Sequence, residues 1–121
     1  MFHLLKLQPQ SFQKIVEGTK TIEVRLYDEK RQKIQLGDVI EFRKEPDLQE
    51  TIRAEVVGLL RYQTFEELLN DFPIEQFGGK DKKSQLEAIY SFYSKEKEHL
   101  YTVLGIRIKI THFSVDNEKW A

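Results

Sequence analysis

Lys20, Glu23 and Arg25 are the side chains of this sequence best placed, by type and spacing, to do chemistry. They fall in Gly18-Thr19-Lys20-Thr21-Ile22-Glu23-Val24-Arg25, where Ile22, Val24 and Leu26 alternate with Thr21, Glu23, Arg25 and Tyr27. That period of two predicts a strand with an apolar and a polar face. Glu23 and Arg25 then share a face, about 7 Å apart along the strand, and Lys20 stands at its entrance. An arginine can give two parallel hydrogen bonds to a phosphate or a base edge. A glutamate can accept from the amino group of a base, and a lysine can reach phosphate as a point charge. The same residues can equally form an exposed ion pair, worth about 0–1 kcal/mol, on a solvated strand. A third reading is an internal ion pair that fixes the fold and binds nothing.

Other candidates are weaker. Asp28-Glu29-Lys30-Arg31-Gln32-Lys33 is a charged run without apolar period, read as a loop with at most one helical turn. Tyr90, Phe92, Tyr93 and Tyr101, with Tyr62 upstream, form an aromatic stripe on which bases could stack. Tyr90 and Tyr93 at helical spacing also suit core packing. Ser94 and Lys95 follow and could line the same opening, and Arg61 at a strand end is a further cation. Gly78-Gly79-Lys80 lacks the spacing of a phosphate-binding loop and reads as a turn. His3, His99 and His112 have no metal-ligand spacing, so no metal or other cofactor is expected.

The elements that must position these residues are legible from pattern. Phe2 to Leu7 reads as a strand, and Pro9 suits the first turn of a helix carrying Phe12, Ile15 and Val16, closed by Gly18. The motif strand runs from about Lys20 to Tyr27. Leu36-Gly37-Asp38 is a turn before a strand from Val39 to Arg43, and Glu45-Pro46-Asp47 a turn before a long strand from Thr51 to Tyr62. Thr64 and Glu67 form a capping box for a helix with Phe65, Leu68 and Leu69, interrupted by Pro73. Ser84 and Glu87 suggest a second box, opening a helix from Lys82 to Glu98. Tyr101 to Ile110 is the last strand. The order β-α-β-β-β-α-α-β predicts an α+β fold, a small curved sheet or barrel packed by helices.

Bulk composition sets outer limits. With 121 residues the chain is expected to be a single domain, 1–121. Nineteen basic and 20 acidic side chains leave a formal charge of -1, which argues against coating nucleic acid by bulk attraction but not against a local patch. The absence of cysteine excludes disulfides and thiolate chemistry. No apolar run approaches a membrane span and none resembles a signal peptide, so a cytoplasmic location and no membrane partner are the default expectations. Nothing in the composition marks a dimer surface.

The eight-residue motif resembles the Gly-x-Lys-x-x-Glu-x-Arg signature of ASCH domains. The opening strand and helix, the Leu36-Gly37-Asp38 turn and the ending Tyr101-Thr102-Val103-Leu104-Gly105-Ile106 extend the resemblance over nearly the whole chain. It implies a PUA-like fold, a small, mostly antiparallel β-barrel with flanking helices. It also implies a cleft where Lys20, Glu23 and Arg25 face RNA or a nucleotide or modified-nucleoside ligand, with Thr21, Arg61, Tyr90, Tyr93 and Ser94 as further candidate contacts. One branch of the family, the N4-acetylcytidine amidohydrolases, is similar and uses a lysine to activate a threonine. Lys20 matches that lysine, but Glu23 occupies the threonine position, and a carboxylate is no alcohol nucleophile. Under the alternative reading, hydrolysis of an acylated nucleoside or of RNA, Glu23 would activate a water, with Lys20 or Arg25 stabilising the oxyanion. Glu75 and Glu87 are candidates for that branch's second, distant glutamate.

Overall fold

Residues 1–114 are described by a computed structural model. Strand β1, Phe2–Leu7, buries Leu5 and Leu7 and turns Phe2 and Leu4 outward. Helix α1, Pro9–Val16, opens with its proline in the first turn, where the missing N–H is no loss. It buries Phe12 and Ile15. Gly18 follows in a left-handed conformation (φ 85°), which a side chain would oppose, and Lys14 O then accepts from the N–H groups of both Thr19 and Lys20. This tight exit delivers Lys20 to the head of β2, Ile22–Leu26.

Strands β3, Val39–Lys44, β4, Thr51–Tyr62, and β5, Val103–Ser114, complete one sheet in the order β1-β3-β4-β5-β2. The β1–β3 pair is parallel and the other three pairs are antiparallel. Register shifts between β4 and β5 at Arg53/Ala54 and Val56/Gly58 are the bulges that let long strands bend. The outcome is the expected α+β, PUA-like architecture, a curled half-barrel whose open edges are β1 and β2.

Helices pack on both faces of the sheet, one group on each, since the successive residues Val103 and Leu104 of β5 fall in different apolar clusters. Phe12 and Ile15 of α1 join Leu5, Ile40, Phe42 and Ile52 in one apolar cluster. Helix α2, Phe65–Asn70, contributes Phe65, Leu68 and Leu69 to a second, with Ile22, Leu26 and Val103 beneath. The Thr64 cap of α2 is present, its hydroxyl accepting from Glu67 N.

Two local expectations need correction. Asp81, not Ser84, caps helix α3, Lys82–Phe92, because its carboxylate accepts from Ser84 N. The single helix expected to Glu98 is two. Tyr93 is extended, and Ser94 restarts the chain as the cap of α4, Lys95–Tyr101, its hydroxyl accepting from Lys97 N. A serine well suited to a cap competes with helix continuation at that point. Two short 3-10 turns, Arg31–Lys33 and Ile74–Phe77, complete the elements. Among the described residues no helix is long and apolar enough to cross a membrane.

Candidate functional site

Lys20, Glu23 and Arg25 meet at one point. Lys20 Nζ lies 2.7 Å from Glu23 Oε1, and Arg25 Nε lies 2.6 Å from Glu23 Oε2. Each carboxylate oxygen thus faces its own cation. The trio is far more enclosed than a solvated strand face, with the Glu23 side chain only 6% exposed, that of Lys20 7% and that of Arg25 12%. Lys20 Nζ also donates to Ser11 Oγ of α1, at 3.2 Å, and Arg25 Nη2 to the carbonyl of Lys6 in β1, at 2.7 Å.

Burial alone would push the Glu23 carboxyl up. The adjoining Lys20 ammonium and Arg25 guanidinium outweigh it and hold the group down at about 2. Burial also works against the Arg25 cation, but the Glu23 carboxylate prevails and raises it above its ordinary value. The trio therefore carries one net positive charge. Among the described residues, Arg25 Nη1 and one of the three Lys20 N–H bonds have no partner. Spare cationic donors on a low-dielectric floor suit an acceptor-rich ligand.

The trio floors a cleft of about 370 Å³, a volume proper to a small-molecule site. One wall is the end of β1, with Lys6, Leu7 and Gln8. The opposite wall is α3, with Gln85, Ile89 and Phe92, and Tyr93 just beyond its end. Tyr93 is held by stacking on Phe65, ring centroids 5.6 Å apart. Phe92, by contrast, is 65% exposed. Glu45 closes the rim and accepts from Gln8 Nε2.

Of the residues singled out from sequence, Lys20, Glu23, Arg25, Phe92 and Tyr93 line this cleft. Thr21, Arg61, Tyr90 and Ser94 do not. Thr21 acts through its backbone, donating to Gln76 O and accepting from Ile108 N. The Arg61 guanidinium lies over the Tyr27 ring, 3.3 Å from its centroid. Tyr90 donates to the buried Glu98 carboxylate, which also accepts from Phe65 N and so anchors the start of α2. Burial, and then Glu98, push the Tyr90 phenol up to about 12. Ser94 is spent as a helix cap. Glu75 and Glu87 also lie outside the cleft lining.

Sequence reasoning missed Lys6, Gln8, Ser11, Glu45 and Gln85 as wall residues. These carry no motif and come together only through the sheet's curl. Phe92 had a readable signal, since it falls off the Leu86, Ile89, Tyr93 face of its helix and must point outward. Among the described residues no group of three or more histidines, aspartates and glutamates could hold a metal.

A curled five-stranded half-barrel, closed across its seam by a buried charge trio, defines a compact α+β domain class. The chain belongs to the ASCH domain family, whose model matches residues 5–112. It is similar to the crystal structure of hypothetical protein PH0355, with 34% identity and a TM-score of 0.81 over 92% of this chain and 100% of that one. It is also similar to the solution structure of protein PF0455 from Pyrococcus furiosus, at 33% identity and TM-score 0.73 over 93% and 99% of the two chains. The crystal structure of ASCH from Zymomonas mobilis shares the fold at 16% identity and TM-score 0.50, over 88% of this chain and 65% of that one. No curated protein matches the sequence.

Proposed function

We propose that this ASCH domain binds RNA or a nucleotide-like ligand in the cleft floored by Lys20, Glu23 and Arg25. The observation that carries the reading is the convergence of these three on an open hollow, with cationic donors left over. Arg25 fixes a phosphate or base carbonyl, Lys20 supplies charge, and Glu23 holds both cations in place. The exposed ring of Phe92 offers a face for stacking.

The test is a binding panel of short single-stranded RNAs and free nucleotides at low salt. Arg25→Ala is expected to weaken binding while circular dichroism reports a retained fold. No detectable binding of any member by the unaltered protein ends the proposal.

The geometry speaks against the hydrolytic alternative. A general base needs a proton affinity near the working pH, and Glu23 sits at about 2 with both oxygens engaged. Release of acetate from N4-acetylcytidine above a Lys20→Ala control would reinstate it.

A further inference from the structure

A second hollow adjoins the cleft. It occupies about 900 Å³ between α1 and the turn that precedes α3, and shares Gln8, Ser11, Lys20, Gln85, Ala88 and Phe92 with the first. At more than twice the cleft's volume it exceeds the needs of the same small unit. Its chemistry also differs. The cleft has two carboxylates in its lining, Glu23 and Glu45, whereas the second hollow has none. In a chain with 20 acidic residues out of 121, its polar side chains are one serine, three lysines (Lys14, Lys20, Lys80) and four glutamines.

Lys14 and Lys80 are exposed, and neither is within salt-bridge distance of a carboxylate among the described residues. The acids nearest them in sequence already have hydrogen-bond donors of their own. Glu17 accepts from Gln13 Nε2, and Asp81 caps α3. The far wall is bare backbone. A Cβ at Gly78, where φ is +80°, would lie 3.2 Å from Lys20 Cδ, and one at Gly79 only 2.5 Å from Gln85 Oε1. The start of α1 opens at the junction, with no acidic residue in its first turn and no side-chain cap. Its free N–H groups add partial positive charge there.

We infer that this hollow is a subsite for the phosphodiester backbone of a single-stranded polynucleotide that continues out of the cleft. The inference rests on the nucleotide reading of the cleft and extends it from a single unit to a strand. Lys14 and Lys80 neutralise successive phosphates, and the glutamines offer donors and acceptors to sugars and base edges. Phe92 borders both hollows and stacks the base at the step between them. An acidic peptide would also meet the lysines, but would leave the aromatic step and the amides without a role.

The test compares ribonucleoside monophosphates with six-residue homopolymers of RNA and DNA, using the whole chain and a Lys14→Gln, Lys80→Gln double variant. Both positions are exposed and outside the charge trio, and an unchanged melting temperature verifies the variant's fold. The RNA six-mer is expected to bind at least tenfold more tightly than its monophosphate. The double variant should lose that advantage, keep the monophosphate affinity, and lower the slope of log K against log salt by about 1.4. Equal loss for the DNA six-mer assigns the contact to the shared backbone. A six-mer no tighter than the monophosphate, wild-type six-mer affinity in the double variant, or preference for polyglutamate each overturns the strand inference alone. Failure of the unaltered protein to bind monophosphate or six-mer overturns the cleft reading with it.

Discussion

Arg25 Nη2 donates to the carbonyl oxygen of Lys6 across 2.7 Å, and this single bond spans the two unpaired edges of the sheet. β1 and β2 are at opposite ends of the strand order, and no ladder joins them. The guanidinium thus does by side chain what a sixth strand would do by backbone, while leaving room above it for a ligand. Closing the sheet and, under the proposed reading, holding the ligand fall to one residue.

Glu23→Gln is expected to destabilise the fold by about 3–5 kcal/mol, because it leaves Lys20 and Arg25 enclosed without their counter-charge. Urea unfolding monitored by circular dichroism measures it. A loss under about 1 kcal/mol would mean that water reaches the trio and the enclosure is not electrostatically important.

Acid should weaken the protein through the same carboxylate. Glu23 titrates at about 2 in the fold against 4.5 ordinarily, so its contribution is fully present above pH 4.5. As pH falls below that, the unfolded chain takes up the proton first and stability drops until about pH 2. The total is on the order of 3 kcal/mol. Asp38, held at about 2 by the His3 hydrogen bond and further donors, acts in the same direction from 3.8 downward. Denaturation curves at several pH values should be visibly flatter in Glu23→Gln over this window.

Phe92→Ala separates binding from folding. The ring is mostly exposed, so the melting temperature should barely move, whereas RNA affinity should fall by about 1–3 kcal/mol, the usual worth of one stacked base. Unaltered affinity in a fluorescence titration removes Phe92 from the site.

Glu98→Ala should do the reverse. It strands the Phe65 N–H and the Tyr90 hydroxyl, costing about 1–3 kcal/mol for each donor left buried without an acceptor. Ligand affinity at a temperature where the variant is folded should be unchanged, as Glu98 lies outside the cleft. A loss of affinity matching that of Arg25→Ala would return Tyr90 to the list of contacts.

How much could be read beforehand follows from the range of each interaction. The β2 strand, the Pro9 start, the Gly18 exit and the Thr64 cap are local matters of period and backbone preference, and all four were legible. So were the three charges, which share one short segment. Their depth was not. Polar alternation in Glu23 and Arg25 suggests an outward face, but β2 is an edge strand overlaid by α3 and by β1's end, so the polar side is covered as well. The partition of Tyr90 from Tyr93 was equally hidden. It depends on Ser94 ending the helix and on Glu98 returning to α2, contacts that no spacing announces.

The pairing of β2 has a temporal consequence. Among the described residues its only ladder is with β5, in a register that sets Ile22 against Arg107. On the ribosome the signature segment emerges early, yet the strand it pairs with, β5, is the last of the sheet to be made. A product truncated before Val103 would have the motif residues without the strand that holds β2 in the sheet.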